Sequence, residues 1–197
     1  TPIAEYVYSK AAKYGKKVQA MGGAKNHMVV MPDADMEMVG DAIMGSVFGS
    51  AGERCMAISV VVPVGEGTGD KIKEIVKPKI ENLKIGPGLD PDSEMGPLVT
   101  SDHLQKVQNY IDKGVEEGAE LVVDGRNLKL QGYENGFFIG GSFFDNVTTD
   151  MSIYKEEIFG PVLSMVRAKD AFKMVSLAKK ENLDAVLGSR FLDKEYS

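Results

Sequence analysis

Short apolar runs alternate along this chain with longer amphipathic segments, and this alternation limits the fold more than any other feature of the sequence. The short runs are rich in Val and Ile, which favour strands, whereas the longer segments repeat their apolar residues at helical spacing. Strands that alternate with helices indicate an α/β architecture, so we expect a three-layer fold with a largely parallel sheet flanked by helices. Strands are predicted around Val18 and at residues 27–31, 57–64, 121–123, 137–139 and 162–166, and helices between Pro2 and Gly15 and at residues 36–47, 71–83, 102–117 and 171–180.

The helix at residues 36–47 has a clear beginning and a clear buried side. Asp33 or Asp35 can cap its first turn. The run before it, residues 27–31 (HMVVM), is apolar throughout, so we expect that strand to be buried on both faces of a parallel sheet. The apolar stripe of the helix consists of Met36, Val39, Ile43 and Val47.

The composition argues against several functions. A net charge of −6 at pH 7 disfavours a nucleic-acid partner, because phosphate backbones select for clustered Lys and Arg. The longest apolar stretch, residues 57–64, is too short to span a bilayer, and residues 1–15 lack the pattern of a secretory signal, so no membrane partner is expected. The single cysteine cannot form an internal disulfide, which favours the cytoplasm or another reducing compartment.

Cys55 is the candidate nucleophile. A free cysteine is more often a buried structural thiol, but the neighbours of this one are unsuited to a core. Residues 49–52 (GSAG) are small, and Glu53 and Arg54 are charged. Arg54 places a cation beside the thiol, which favours the reactive thiolate, and the glycines let a substrate approach the backbone.

Residues 65–70 (GEGTGD) resemble a phosphate-binding loop in their glycine content and position. They follow a predicted strand and open a predicted helix, where such a loop would lie. The dinucleotide pattern G-x-G-x-x-G fails at Asp70, and the carboxylates of Glu66 and Asp70 would repel phosphate. We interpret this segment as an ordinary turn.

The two histidines, His27 and His103, do not indicate a metal site. Neither lies at ligand spacing from Cys55 or from a cluster of carboxylates. A thiol hydrolase with one of them as its base remains an alternative. Because His27 lies on a strand-like run and His103 at a helix start, we expect structural roles for both and no bound metal.

Two motifs resemble the aldehyde dehydrogenase superfamily. Residues 52–55 (GERC) match its cysteine motif G-x-x-C, and residues 157–161 match its EIFGP motif, which alone would indicate only a Gly-Pro turn. Residues 19–27 (QAMGGAKNH) and 48–57 (FGSAGERCMA) resemble in sequence the members of one branch of the superfamily. That branch oxidises malonate and methylmalonate semialdehydes and passes the acyl group to coenzyme A. The resemblance extends over about residues 1–178.

The resemblance implies the catalytic-domain fold of that family and a role for each motif. The Cys55 thiolate attacks the aldehyde to give a thiohemiacetal, NAD takes up the hydride, and a thioester remains on the enzyme. The backbone N–H of Cys55 contributes to the oxyanion hole. Glu157 matches the residue that holds the nicotinamide ribose, with Phe159 beside it, and Gly22 and Gly23 match the turn that passes the cofactor.

The resemblance also bears on the substrate and the acyl acceptor. Substrates of this branch carry a carboxylate, which Arg54 can grip with two hydrogen bonds, although Arg54 can instead pair with Glu53. Hydrolytic members have a glutamate just before the Gly-Gly turn, where this chain has Ala20 and Met21. Water attacks a thioester slowly without that base. Coenzyme A is therefore the expected acceptor, and a hydrolytic aldehyde dehydrogenase is the alternative.

The resemblance divides the chain into two parts. Residues 1–22 match the end of the NAD-binding domain, and residues 23–197 match the catalytic thiol domain, shortened at its C-terminus and with a divergent tail at 181–197. We therefore expect a homo-oligomeric parent enzyme and an isolated chain that turns over no aldehyde. An inert α/β module that serves as an assembly surface is the alternative from a different class of protein.

Overall fold

The computed structural model of this chain describes residues 2–170 and 173–174. The elements in chain order are α1 (Pro2–Lys13), β1 (Asn26–Val30), α2 (Met36–Ile43), a π-helical turn (Met44–Phe48), a 3-10 turn (Gly49–Gly52), β2 (Ile58–Pro63), α3 (Thr68–Glu81), α4 (Ser101–Glu116), β3 (Glu120–Val123), β4 (Ser142–Asp145), α5 (Ser152–Lys155) and β5 (Val162–Met165).

The strands form one five-stranded sheet in the order β1-β2-β5-β4-β3. The pairs β1–β2, β2–β5 and β4–β5 are parallel, and only β3 runs antiparallel, beside β4. The central strands are the most buried, since Val60, Val61 and Leu163 have no exposed surface. The α/β prediction with a largely parallel sheet is confirmed.

Helices cover both faces of the sheet. A Cβ added to Gly114 of α4 would lie 2.9 Å from the ring of Phe144 in β4. A Cβ added to Gly141, just before β4, would instead lie 2.7 Å from Phe48 and 2.8 Å from Ile80 of α3. Because successive side chains of an extended segment point to opposite faces, α4 and α3 lie on opposite sides of the sheet. The three-layer prediction is confirmed.

The helix α2 begins and packs as its sequence pattern indicates. Asp35, not Asp33, caps it and accepts hydrogen bonds from the backbone N–H groups of Glu37 and Met38. Ile43 and Val47 are buried in the core at the end of the predicted stripe. The helical path then continues through the π-helical turn and the 3-10 turn into the segment that carries Cys55.

Two predicted strands are wrong. Residues 16–25 form no strand, because Val18 is a single apolar residue among exposed lysines and has little surface to bury. Residues 137–139 form none either: the carbonyl of Phe137 accepts from Leu98 N–H in a loop, and Gly140 N–H bonds to the carbonyl of Gly125. The strand begins only at Ser142.

Three further elements, β1, α5 and the predicted helix at 171–180, differ from the predictions or lie largely outside the described residues. β1 is half-buried along most of its length, not buried on both faces, because it lies at the edge of the sheet. The short helix α5 has no counterpart among the predicted elements. The predicted helix at 171–180 lies outside the described residues except at 173–174, which are helical. No helix within residues 2–170 and 173–174 combines the length and apolar character that crossing a bilayer requires.

The two edges of the parallel sheet differ in character. At the carboxyl edge, buried Asp145 accepts two hydrogen bonds from Arg167, of 2.9 and 2.7 Å, and lies 3.5 Å from Lys73. Arg167 also bonds to Asp70 at 2.7 Å, and Gly69 leaves room for its guanidinium. Asp70, which lies in the first turn of α3, belongs to these ion pairs, and only residues 65–67 of the predicted turn precede the helix. The amino edge, where β1, β2 and β5 begin, holds the candidate site.

Candidate active site

Cys55 is exposed on a turn that joins the 3-10 turn to β2. The chain reaches it through three left-handed residues in succession, with φ of 52° at Ser50, 52° at Ala51 and 71° at Gly52. Residues other than glycine rarely adopt such angles, and they persist only where the surrounding structure holds them. This reversal ends the helical path and turns the thiol outward.

Asn26, the first residue of β1, holds the main chain on both sides of the thiol. Its Nδ2 donates to the carbonyl of Cys55 at 2.8 Å and to that of Ala57 at 2.9 Å. The turn itself is closed by Ala57 N–H, which donates to the carbonyl of Arg54 at 3.0 Å. The backbone is therefore fixed while the thiol stays accessible.

Arg54 turns its guanidinium back toward the preceding helix. Its Nη2 donates to the carbonyls of Gly45 at 2.7 Å and Ser46 at 3.2 Å. The guanidinium lies over Gly49, where an added Cβ would come within 2.6 Å of Nη2. These contacts tie the thiol turn to the end of the helical path. Glu53, the alternative partner of Arg54, instead lies 3.5 Å from the ring of His103.

The EIFGP segment, residues 157–161, packs directly against the thiol turn. A Cβ added to Gly52 would lie 2.4 Å from the carbonyl oxygen of Gly160, so the two backbones touch. The neighbouring Phe159 has a left-handed φ of 63°, and its carbonyl accepts a hydrogen bond of 2.6 Å from His103 Nε2. The two motifs that sequence analysis singled out are thus in contact.

Two lysines hold the start of this segment. Lys25 Nζ donates to the carbonyl of Glu156 at 2.8 Å, and Lys106 Nζ donates to that of Glu157 at 3.2 Å. Burial lowers the pKa of Lys25 to about 8, although the nearby carboxylates of Glu157 and Glu156 act to raise it. Burial also raises the pKa of Tyr110 to about 12, together with its hydrogen bond to Glu156. With a pKa of about 8, the amine of Lys25 is partly neutral near physiological pH.

One cleft brings together four of the six predicted site residues. Cys55 and Arg54 line one part of it, and Glu157 and Phe159 line another, with Asn26 at its wall. A second cleft shares Glu157 and Ala24 with the first.

The predicted glycine turn lies beside the second cleft. Gly23 lines it together with Lys25 and has a left-handed φ of 77° that favours glycine. Gly22 is exposed and lines neither cleft. The structure therefore brings Gly23 to the neighbourhood of Glu157 and leaves Gly22 at the surface.

Neither histidine lies free for use as a base toward the thiol. The ring nitrogens of His27 bond to the carbonyl of Lys25 at 2.7 Å and to the hydroxyl of Tyr154 at 3.0 Å. The Nε2 of His103 bonds to the carbonyl of Phe159 at 2.6 Å and lies 3.5 Å from Glu53. Within the described part of the chain no group of three or more His, Cys, Asp and Glu side chains is arranged to hold a metal ion.

Comparison with known proteins agrees with the motifs. Residues 1–184 match the profile of the aldehyde dehydrogenase family. The chain is 56% identical over 177 residues to a malonate-semialdehyde dehydrogenase of Pseudomonas aeruginosa, which covers 90% of the chain and 36% of that protein.

Solved structures give the same result. A candidate methylmalonate-semialdehyde dehydrogenase of Sinorhizobium meliloti, crystallised with NAD, superposes with a TM-score of 0.86 at 57% identity, covering 91% of this chain and 36% of that one. A methylmalonate-semialdehyde dehydrogenase of Oceanimonas doudoroffii gives 0.84 at 48% identity, covering 89% and 36%. The chain thus spans about a third of the length of these relatives.

Proposed function

Because this chain belongs to the aldehyde dehydrogenase family, we propose that it supplies the thiol-bearing part of an NAD-dependent malonate or methylmalonate semialdehyde dehydrogenase that transfers the acyl group to coenzyme A. The observation that carries the proposal is the cleft in which exposed Cys55 faces the same space as Glu157 and Phe159. A thiol that served only for packing would be buried away from such a cleft.

Cys55 is proposed as the nucleophile. Its thiolate attacks the aldehyde carbon, the carbonyl π electrons move to oxygen, and a thiohemiacetal forms on Cys55. The backbone N–H of Cys55 is a donor for the resulting oxyanion. Asn26 supports this geometry, because it fixes the carbonyls of Cys55 and Ala57 and so the orientation of the peptide groups of the turn.

The cleft walls suit NAD, which when bound accepts the hydride that the thiohemiacetal gives up. The carboxylate of Glu157 is an acceptor suited to ribose hydroxyls, and Phe159 offers an apolar ring beside it. Gly23 lacks a Cβ at the wall of the adjoining cleft, so a ligand can approach the backbone there. We assign these three residues to cofactor binding, and Gly22 with them only because it matches the family's glycine turn, since it lines neither cleft.

Coenzyme A is proposed as the acyl acceptor. Glu157 is the only carboxylate among the described residues that line the Cys55 cleft, and it is assigned to the ribose. Ala20 and Met21 hold the place of the glutamate that activates water in hydrolytic members, and neither can act as a base. A thiol acceptor, which ionises more readily than water, needs less help from the protein.

Arg54 is proposed to bind the substrate carboxylate. It lines the cleft beside Cys55, as a recognition residue must. Both Nη2 contacts go to the carbonyls of Gly45 and Ser46. A bidentate grip on a carboxylate needs an Nη2 hydrogen, so substrate binding would have to release one of these bonds.

Three wider features complete the proposal. The division into residues 1–22 and 23–197 is supported by α1, in which no described residue is buried, as expected of a helix that packs on another domain. We also propose a homo-oligomeric parent enzyme, by analogy with the family, and a reducing compartment such as the cytoplasm, which suits the single exposed thiol.

A chimaera tests the function. In it, this chain replaces the matching segment of the Pseudomonas aeruginosa malonate-semialdehyde dehydrogenase. NADH formation from malonate semialdehyde at roughly 1 to 1,000 per second supports the proposal, and Cys55→Ala should abolish it. Mass spectrometry of the products then decides the acceptor. Acyl-coenzyme A supports the proposal, and free acid formed at the same rate without coenzyme A supports the hydrolytic alternative.

A further inference from the structure

His103 is held at the start of α4 with its ring directed into the protein. Thr100 caps this helix, and its Oγ1 accepts from the backbone N–H of His103 at 3.1 Å. The side chain of His103 is only 17% exposed. The cap therefore fixes the backbone from which the imidazole reaches inward.

The ring of His103 contacts both motifs of the candidate site. Its Nε2–H donates to the carbonyl of Phe159 at 2.6 Å, and the two rings meet edge to face with centroids 6.3 Å apart. The same Nε2 lies 3.5 Å from Oε1 of Glu53, two residues before Cys55, and the side chain of Glu53 is 11% exposed. Glu53 Oε1 also accepts from the backbone N–H of Val99 at 3.4 Å.

Phe159 is the residue at which this contact matters most. Its φ of 63° is rare for a bulky residue and persists only when its surroundings impose it. The next residue, Gly160, places its carbonyl against Gly52 of the thiol turn. A change of backbone angle at Phe159 would therefore move Glu157 on one side and the Gly52 contact on the other.

We infer that His103 is a positioning residue: by donating to the Phe159 carbonyl while its ring lies against the Glu53 carboxylate, it holds segment 157–161, the proposed cofactor contact, in register with the turn that carries Cys55. This inference rests on the proposed function for the roles of Cys55 and Glu157. His103 lines neither the cleft that holds Cys55 nor the adjoining one. Its loss should weaken cofactor binding without removing the nucleophile.

Amide hydrogen exchange of the full 197-residue chain gives a readout that needs no activity. His103→Leu removes the donor, His103→Gln keeps an N–H near the place of Nε2, and Gln105→Leu on the exposed side of α4 is the matched control. Of these variants, we expect only His103→Leu to speed amide exchange in both segments 52–57 and 156–161. The expected increase is about three- to tenfold, because the loss of one hydrogen bond changes a local opening equilibrium by about that factor. Unchanged exchange in either segment, or equal acceleration throughout the chain, overturns the inference.

The chimaera gives the second readout. His103→Leu should raise the KM for NAD by about three- to tenfold, more than it raises the KM for the aldehyde, because its hydrogen bond goes to Phe159 of the proposed cofactor contact, and His103→Gln should recover most of the loss. Equal changes in both KM values, or no recovery with glutamine, overturn the inference. A chimaera that forms no NADH with His103 intact counts against the proposed function, and the exchange measurement then decides the role of His103.

Discussion

Asn26 Nδ2 donates a hydrogen bond of 2.8 Å to the carbonyl of Cys55 across 29 positions of the sequence. Its second amide hydrogen reaches the carbonyl of Ala57 at 2.9 Å. The edge strand β1 thereby supports the turn that exposes the thiol. The conformation of that turn depends on a residue that no local pattern connects with it.

The variant Asn26→Asp should destabilise the chain. It replaces two donors with a carboxylate that faces two carbonyl oxygens, one exposed and one part-buried, and the loss of both hydrogen bonds costs about 1–3 kcal/mol. Urea unfolding measures the loss. Asn109→Asp is the control, because the Oδ1 of Asn109 accepts from Gln105 and an aspartate can still do so. Equal losses in the two variants would show that the Asn26 bonds contribute nothing specific.

The sequence predicts those parts of the fold and site whose signal is local. The strand at β2, the cap at Asp35 and the two short motifs around Cys55 and Glu157 are each contained in a few neighbouring residues. The contact of His103 with Phe159 joins residues 56 positions apart, so it leaves no local pattern.

The wrong prediction of a strand at 137–139 also arises from a contact between residues that are distant in the sequence. Its apolar residues fit a strand, but Gly125 and Gly140 approach so closely that a Cβ on Gly125 would lie 2.1 Å from the carbonyl oxygen of Gly140. That approach takes the backbone of this segment into a loop. Only the folded chain reveals that the two glycines meet.

The variant Arg167→Met should destabilise the chain strongly. It leaves the carboxylate of Asp145, 1% exposed, without its main partner, and breaking a buried pair in this way costs about 3–5 kcal/mol. Lys73 remains at 3.5 Å and should keep the loss near the lower end. Unfolding in urea measures it.

Arg126→Met is the matched control for that variant. Arg126 pairs with Asp124 and Asp112, both more exposed than Asp145, and such pairs contribute about 0–1 kcal/mol. If the two arginine variants lose the same stability, the carboxyl edge of the sheet does not depend on its buried pair.

Asp145 should also make the stability of the chain depend on pH. Burial alone would raise the pKa of Asp145, but the hydrogen bonds from Arg167 and from Asn146 N–H outweigh it, so this pKa lies below its ordinary value. A lowered carboxyl pKa contributes stability that is present above the unfolded pKa of about 3.9 and is lost as the pH falls through the folded pKa. Asp145→Asn should therefore flatten the acid limb of the unfolding free energy against pH. Parallel acid limbs in the two proteins would contradict this assignment.

Lys25 should react with acylating reagents before the other lysines of its cleft. Its pKa of about 8 means that the neutral, nucleophilic amine grows as the pH rises through that value. Brief acetylation at a series of pH values, followed by mass spectrometry, measures the rate at each site. Lys106, which lines the same cleft, is the internal reference. A Lys25 rate that follows the Lys106 rate at every pH would show that burial does not alter this amine.

Arg54→Lys separates the two uses that the structure allows for this residue. A lysine keeps the positive charge and can still donate to the carbonyl of Gly45 or Ser46, but it cannot grip a carboxylate with two parallel hydrogen bonds. In the chimaera, the KM for a semialdehyde acid should rise about tenfold, as expected for one charge-assisted hydrogen bond, and the KM for propionaldehyde, which has no carboxylate, should stay nearly the same. Arg54→Met removes the anchor as well and should impair both substrates. If Arg54→Lys already impairs both equally, Arg54 only anchors the thiol turn, and another residue binds the carboxylate.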